Sequence, residues 1–220
     1  MEVDHIFICV PPGAKEAELL MDFGFKEGSA NIHPGQGTAN RRFFFDNVMI
    51  ELLFLTNADE ARSKLTRPTM LYERLTSEDD KVSPFGICFR PAEGDDKRQA
   101  RFPCWAYRPT YLPPDLHIDV GNTPIDEPMW FFLPFASRPD QSARCRNEPR
   151  SHANGISELS SIEITSPKAG DLSTTAEIVS VRQNIKFLSG ENHLLSLGFN
   201  DFQSGLVKDF RPDLPLVIKW

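Results

Sequence analysis

The chain has no surplus of positive charge: 24 Lys and Arg against 31 Asp and Glu leave a formal net charge of −7 over 220 residues. Nucleic acids and anionic membrane surfaces select for clustered cations, so neither is expected as a partner. Long apolar runs are missing too. Nothing approaches the roughly 18 residues that span a bilayer, and the start, MEVDHIFICV, has acidic residues where a secretory leader needs basic ones. A cytoplasmic location and no membrane contact are the expectation. Cys9, Cys88, Cys104 and Cys145 are widely spaced with no CxxC pair, and the first two sit inside apolar runs, so free thiols are expected, without a disulfide or a cysteine-held metal. The glycine-rich stretch HPGQGTAN lacks the Lys-Ser/Thr ending and the following helix of a phosphate-binding loop. No Ser or Cys is placed beside a His as a nucleophile would be, which argues against covalent catalysis.

What is present is ordinary globular material, 40% hydrophobic and 25% charged, enough for one large domain or two small ones. Residues 3–10 are short, apolar and β-branched, a buried strand stopped by Pro11-Pro12-Gly13. Residues 14–22 place Ala17, Leu20 and Met21 on one helical face, with Gly24 as a closing cap. Strands are expected over 25–33, 40–45 and 48–55, the last two joined by a two-residue turn at Asp46-Asn47. The order is β-α-β-β-β. Residues 58–80 read as a polar helical connector broken before Pro68, and four more strands follow at 84–90, 101–107, 116–120 and 129–135, with the helix reduced to 95–100. A polar linker over 137–154 precedes a third set, with strands at 156–165, 185–188, 193–199 and 214–220 and a helix over 172–181. The expected division is a first module at 1–57, a connector at 58–82, a second, degenerate module at 83–137, a linker at 138–154 and a third module at 155–220.

The opening DHIFICV, the helix ending in DFGF, the loop HPGQGTANR, the strand MIELL and the later HANGISELSSIEI resemble the glyoxalase-like domain family of the vicinal oxygen chelate superfamily. The first 55 residues carry the resemblance well, the middle loosely and the last third moderately. It implies an α+β fold in which repeated β-α-β-β-β modules form a curved, partly open mixed β-barrel around a small-molecule pocket. The superfamily includes metal-dependent lyases, isomerases and dioxygenases as well as metal-free drug-binding proteins. In metal-using members a histidine early in a module's first strand and a glutamate in its fourth hold one divalent ion, and His5 and Glu51 fill those places. Zinc, iron, manganese and nickel suit such a pair alike. A full site takes matching ligands from a second module, yet by order of elements Gly86 and Phe131 stand there.

Alternation puts His5, Phe7 and Cys9 on one face of their strand and Met49, Glu51 and Leu53 on one face of theirs. The two-residue turn sets Arg42 opposite Glu51, which offers three roles for the carboxylate: metal ligand and catalytic base, holder of a guanidinium that meets an anionic ligand, or plain ion-pair partner of Arg42. The candidate site is therefore Glu51 as catalytic group, His5 and Glu51 as metal ligands, and His33, Asn40, Arg42 and Phe44 as ligand-contacting residues. His33 and the glycines after it are equally a turn, and Asn40 equally caps its own loop. His117 with Asp119, and His152 within HANG, have structural readings that serve as well. Turnover with a metal, metal-free sequestration of an anionic or aromatic metabolite, and assembly of a homodimer through open sheet edges are the competing functions.

Overall fold

The computed structural model describes residues 1–145 and 147–220. The first strand, β1 (Glu2–Cys9), ends at a turn in which Ala14 N–H donates to Pro11 O. Ala14 takes the left-handed conformation (φ 47), so helix α1 (Ala17–Asp22) begins three residues later than the pattern predicts, burying Ala17 and Leu20. Of the strand expected over 25–33 only β2 (Asn31–His33) pairs regularly. Before it, Gly28 N–H donates to Arg42 O, and a side chain on Gly28 would overlap the Phe44 ring. β3 (Thr38–Phe44) and β4 (Met49–Leu55) follow, joined by the expected turn, with Phe45 N–H donating to Val48 O at 2.8 Å and Arg42 in register with Glu51.

The connector breaks into α2 (Ala58–Ala61), capped by the Asn57 side chain, a 3-10 turn at Arg67–Thr69 built on Pro68, and α3 (Leu71–Thr76). The second module supplies β5 (Phe85–Arg90), β6 (Cys104–Tyr107), β7 (Ile118–Gly121) and β8 (Met129–Phe132). The residual helix expected over 95–100 is a pair of turns instead. These strands form one sheet in the order β2-β3-β4-β1-β5-β8-β7-β6, curled into an open half-barrel. At its centre β1 runs antiparallel to β5, while β4 is parallel to β1 and β8 to β5. Each module thus sets its first and fourth strands side by side. The protein is an α+β fold of paired modules.

The third set forms a separate five-stranded sheet, with β9 (Leu159–Ser166), α4 (Thr174–Gln183), β10 (Ile185–Ser189), β11 (Leu194–Phe199), β12 (Val207–Asp209) and β13 (Leu216–Lys219) in the order β10-β9-β11-β13-β12. Strand β12, with no apolar alternation to announce it, is an exposed edge. The main core lies between the two sheets. Ile6, Ile8, Phe43, Phe45, Phe89 and Trp130 from the outer face of the half-barrel meet Ile162, Ile164, Leu195 and Leu197 from the second sheet and Val179 from α4. Where the second module lacks its helix, α4 comes in from the third. The buried Glu127 carboxylate accepts from Ser173 N–H at 2.5 Å and from Ser173 Oγ at 2.6 Å, while Ser173 Oγ caps α4 by accepting from Ala176 N–H. The borrowed helix closes the outer face.

The stretch read as a surface linker is better anchored than its polar composition suggests; one of its positions, Arg146, lies outside the described residues. His152 is 7% exposed, lies tilted between Phe25 and Phe45, accepts from Lys26 N–H through Nδ1 and donates from Nε2 to Phe44 O. It braces the loop before β2 against the end of β3.

Candidate functional site

The inner face of the half-barrel encloses a cavity of about 260 Å³, at the small end for small-molecule sites. All of its lining residues fall between Asp4 and Phe135. The third module contributes none. The charge of the wall is sorted by module: Asp4, His5, His33, Arg42 and Glu51 all come from the first, beside its own apolar Phe7, Met49 and Leu53, whereas the second and the connector offer Leu71, Tyr107, Tyr111, Leu112, Ile118, Met129 and Phe131, polar only at the tyrosine hydroxyls.

His5 and Glu51 both line the cavity from adjacent parallel strands, and Met49, Glu51 and Leu53 share the inward face of β4. Asp4 lies there too, against alternation. A register shift between Val3 and His5 leaves Asp4 as an extra residue in β1, and such a bulge turns two successive side chains the same way. His5 Nδ1–H donates to Asp4 Oδ2 at 2.8 Å, and Asp4 Oδ1 lies 3.7 Å from Arg90 Nη1. Burial is the largest single influence on the His5 imidazole and pushes its pKa down, but Glu51 and Asp4 together outweigh it and leave the pKa raised. The Phe131 ring meets the imidazole edge-on at 5.2 Å.

Glu51 is, with Asp4, one of the two carboxylates of the wall. It is 7% exposed, in register with Arg42, and among the described residues has no hydrogen-bond or ion-pair partner. The expected cross-strand ion pair with Arg42 does not form, because the guanidinium turns outward to a closer acceptor. Arg42 Nε donates to Ser29 O at 2.6 Å and Nη2 to Ser29 Oγ at 2.7 Å, and the guanidinium lies 5.1 Å over the Phe44 ring. Ser29 is itself fixed by Glu148, from the far end of the linker. Arg42 therefore keeps only part of its donor capacity for the cavity.

His33 lines the cavity near its rim, its ring 5.0 Å from that of Tyr111 and tilted by 42°. Its Nδ1–H donates to Thr38 Oγ1 at 3.0 Å and its Nε2 accepts from Asn31 Nδ2 at 3.2 Å, so it is held neutral, its pKa lowered chiefly by burial. The glycines after it make a turn. Gly37 has φ +76 and lies so close to Asn57 O that a side chain would overlap it. Asn40 and Phe44 do not reach the cavity: Asn40 Oδ1 accepts from Asn31 N–H, and Phe44 underlies Arg42. His117 and Asp119 pair at 3.3 Å, also away from it. Inspection of the sequence missed Asp4, Asn31, Gln36 and Tyr111. The adjacent Asp-His pair was the one signal on the page for Asp4, and only the bulge gives it meaning.

The customary metal set is half made. Cys88 pairs with Phe131 two residues beyond Gly86, as Phe7 pairs with Glu51 two residues beyond His5, so Gly86 and Phe131 do occupy the second module's ligand places. A side chain on Gly86 would run into the Phe7 ring. Gly86→Val is accordingly expected to drive that ring into the cavity, lowering stability by about 1–3 kcal/mol and abolishing ligand binding; unchanged binding in a folded variant would mean that ligands sit elsewhere.

A curled sheet of two paired modules around a sorted cavity defines a small-molecule-binding protein. The chain belongs to the glyoxalase-like domain family, whose model matches residues 3–179. Among solved structures it is similar to that of a hypothetical protein from Staphylococcus aureus, at 12% identity with a TM-score of 0.57, covering 99% of this chain and 98% of that one; at such identity the likeness is one of fold. No curated protein matches the sequence. No helix among the described residues is long and apolar enough to cross a membrane.

Three histidines held neutral by burial make stability depend on pH. His33, His152 and His193 all have lowered pKa values, so the unfolded chain takes up protons that the fold refuses, and stability falls as pH drops below the usual imidazole range. His5 has the opposite sign: its stabilisation is present at low pH and lost as pH rises through its raised value. Three outweigh one. The unfolding midpoint should fall between about pH 7 and about pH 5, above most carboxylate titration, and His152→Gln should flatten that slope; a midpoint that rises toward pH 5 would contradict the assignment.

Proposed function

We propose that the cavity binds and converts a small molecule with an apolar body and a hydrogen-donating head, with Glu51 as the group that accepts its proton. The observation that carries this is the buried Glu51 carboxylate without a protein partner, since buried charges are held only where something compensates them. The head lies against Glu51 and the Nε2 side of His5, and the body against Phe131, Met129 and Leu53. His5, oriented by Asp4 and bearing the raised pKa, is placed to share the charge that proton removal creates. A cavity of this volume suits a ligand of a dozen or so heavy atoms, on the order of a substituted ring or a short keto acid.

The test is a thermal-shift screen of small hydroxy, keto and amino compounds, followed by turnover assays on the hits. Hits that stabilise the wild type but not Glu51→Gln, and that are consumed, support the proposal. Hits that are bound equally by Glu51→Gln would remove Glu51 from the head site. Binding without turnover would favour the second reading, a sequestering pocket, for which the predominantly apolar second-module wall speaks. A divalent ion between His5 and Glu51 would answer the same uncompensated charge, but two donors leave half the customary set unfilled.

A further inference from the structure

The missing half of the metal set has a counterpart beside the cavity, where Asp4 and His5 of its wall meet Cys88, which is buried behind it. Asp4, His5 and Cys88 each bring one ligand atom within 4.8 Å of the others, and all three are at least largely buried. None of these neighbours is accidental in the fold. His5 and Cys88 are in register across the β1–β5 seam where the two modules join, and the bulge in β1 turns Asp4 to the same side. Asp4 is further steadied by Arg90, which is 1% exposed and anchored on Val3 O and Asn47 O.

We propose that this seam is a transition-metal site of its own, with Asp4, His5 and Cys88 as three ligands and an open fourth position toward the cavity. One carboxylate, one imidazole and one thiolate match zinc, or ferrous iron, and do not match magnesium or calcium, which take oxygen. Tetrahedral bonds of about 2.0–2.3 Å separate ligand atoms by about 3.3–3.8 Å, which the three side chains reach by small rotations. The thiol is protonated in the metal-free protein, held well above its ordinary range by burial and by Asp4 and Glu51. Ligation replaces the His5 Nδ1–H···Asp4 hydrogen bond: the thiol proton goes to solvent, the Nδ1 proton leaves to Nε2 or to solvent, and the thiolate and the Asp4 carboxylate then cancel the dication. Glu51 is not a ligand in this arrangement and stays free as a base. The site stands whether or not the cavity turns over a ligand, since it is measured on the protein alone.

The experiment is titration of chelator-treated protein with cobalt(II), followed by zinc competition, in wild type, Cys88→Ser, Asp4→Asn and Glu51→Gln. Wild type and Glu51→Gln should take up one equivalent and show the near-ultraviolet thiolate-to-cobalt band. Cys88→Ser should lose the band and bind at least ~10-fold more weakly, and Asp4→Asn should weaken binding while keeping the band. Circular dichroism of each variant separates lost ligation from lost fold. Binding that survives Cys88→Ser with no band and vanishes in Glu51→Gln would overturn the proposal in favour of a His5–Glu51 ion. No uptake by wild type would overturn it outright.

Discussion

Glu51→Leu is expected to yield a protein that is more stable and without activity. The carboxylate is 7% exposed and has no hydrogen-bond partner, so its removal is expected to relieve a desolvation cost of about 1–3 kcal/mol against the smaller loss of its attraction to His5. At roughly 2–4 °C per kcal/mol for a chain of this size, the unfolding midpoint should rise by several degrees. Leucine also continues the run that includes Leu52 and Leu53, with the same β4 face already accepting Met49 and Leu53. Turnover of any substrate should fall by about 100-fold or more, since no other carboxylate on the wall is unengaged: Asp4 is held by His5 and Arg90. Differential scanning calorimetry beside an activity assay reads both effects. A variant that loses stability would show that Glu51 has a compensating partner in solution, and a structural role would then displace the catalytic one.

The largest loss of stability is expected from Trp130→Ala. Trp130 is fully buried, stacks 6.2 Å from Phe89 and meets Phe187 of the second sheet edge to face at 6.2 Å. It joins β8 to the third module through Phe187, and truncating it leaves a cavity between the layers costing about 3–5 kcal/mol. Because its neighbour Phe131 points the other way, into the half-barrel, ligand affinity per folded molecule should change little. Chemical denaturation gives the first quantity and calorimetric titration on the folded fraction the second. A small stability effect would mean that the two sheets are joined mainly by other contacts.

These two variants sit on opposite faces of one sheet, and that separation was legible before the structure. Alternation in β1 and β4 grouped His5 with Phe7 and Glu51 with Met49 and Leu53, the faces that line the cavity, and the two-residue turn fixed the register of Arg42 with Glu51. Alternation cannot describe a bulge, so it gave no reason to look for Asp4 on the face of His5. Register likewise says which backbones face each other and nothing about where a long side chain ends: Arg42 finds Ser29, brought alongside by a loop that pairs irregularly because of Gly28. The shortness of β2 and the absence of a helix over 95–100 have a shared cause, in that neither segment carries an apolar stripe strong enough to be held by the core. His152 was readable as a brace only once Phe25 and Phe45 were seen on either side of it.

The borrowed helix α4 has a consequence for how this chain can be divided. The family match stops at residue 179, inside Thr174–Gln183, with β9 made and its two hydrogen-bonded neighbours, β10 and β11, still to come. A fragment ended there would carry every cavity residue and still lack the strands that hold β9 in place, leaving Ile162 and Ile164 exposed beside an unroofed half-barrel. The recognisable segment and the cooperative unit are therefore different lengths of the same chain, and the part with no cavity residue is the part on which the shape of the cavity depends.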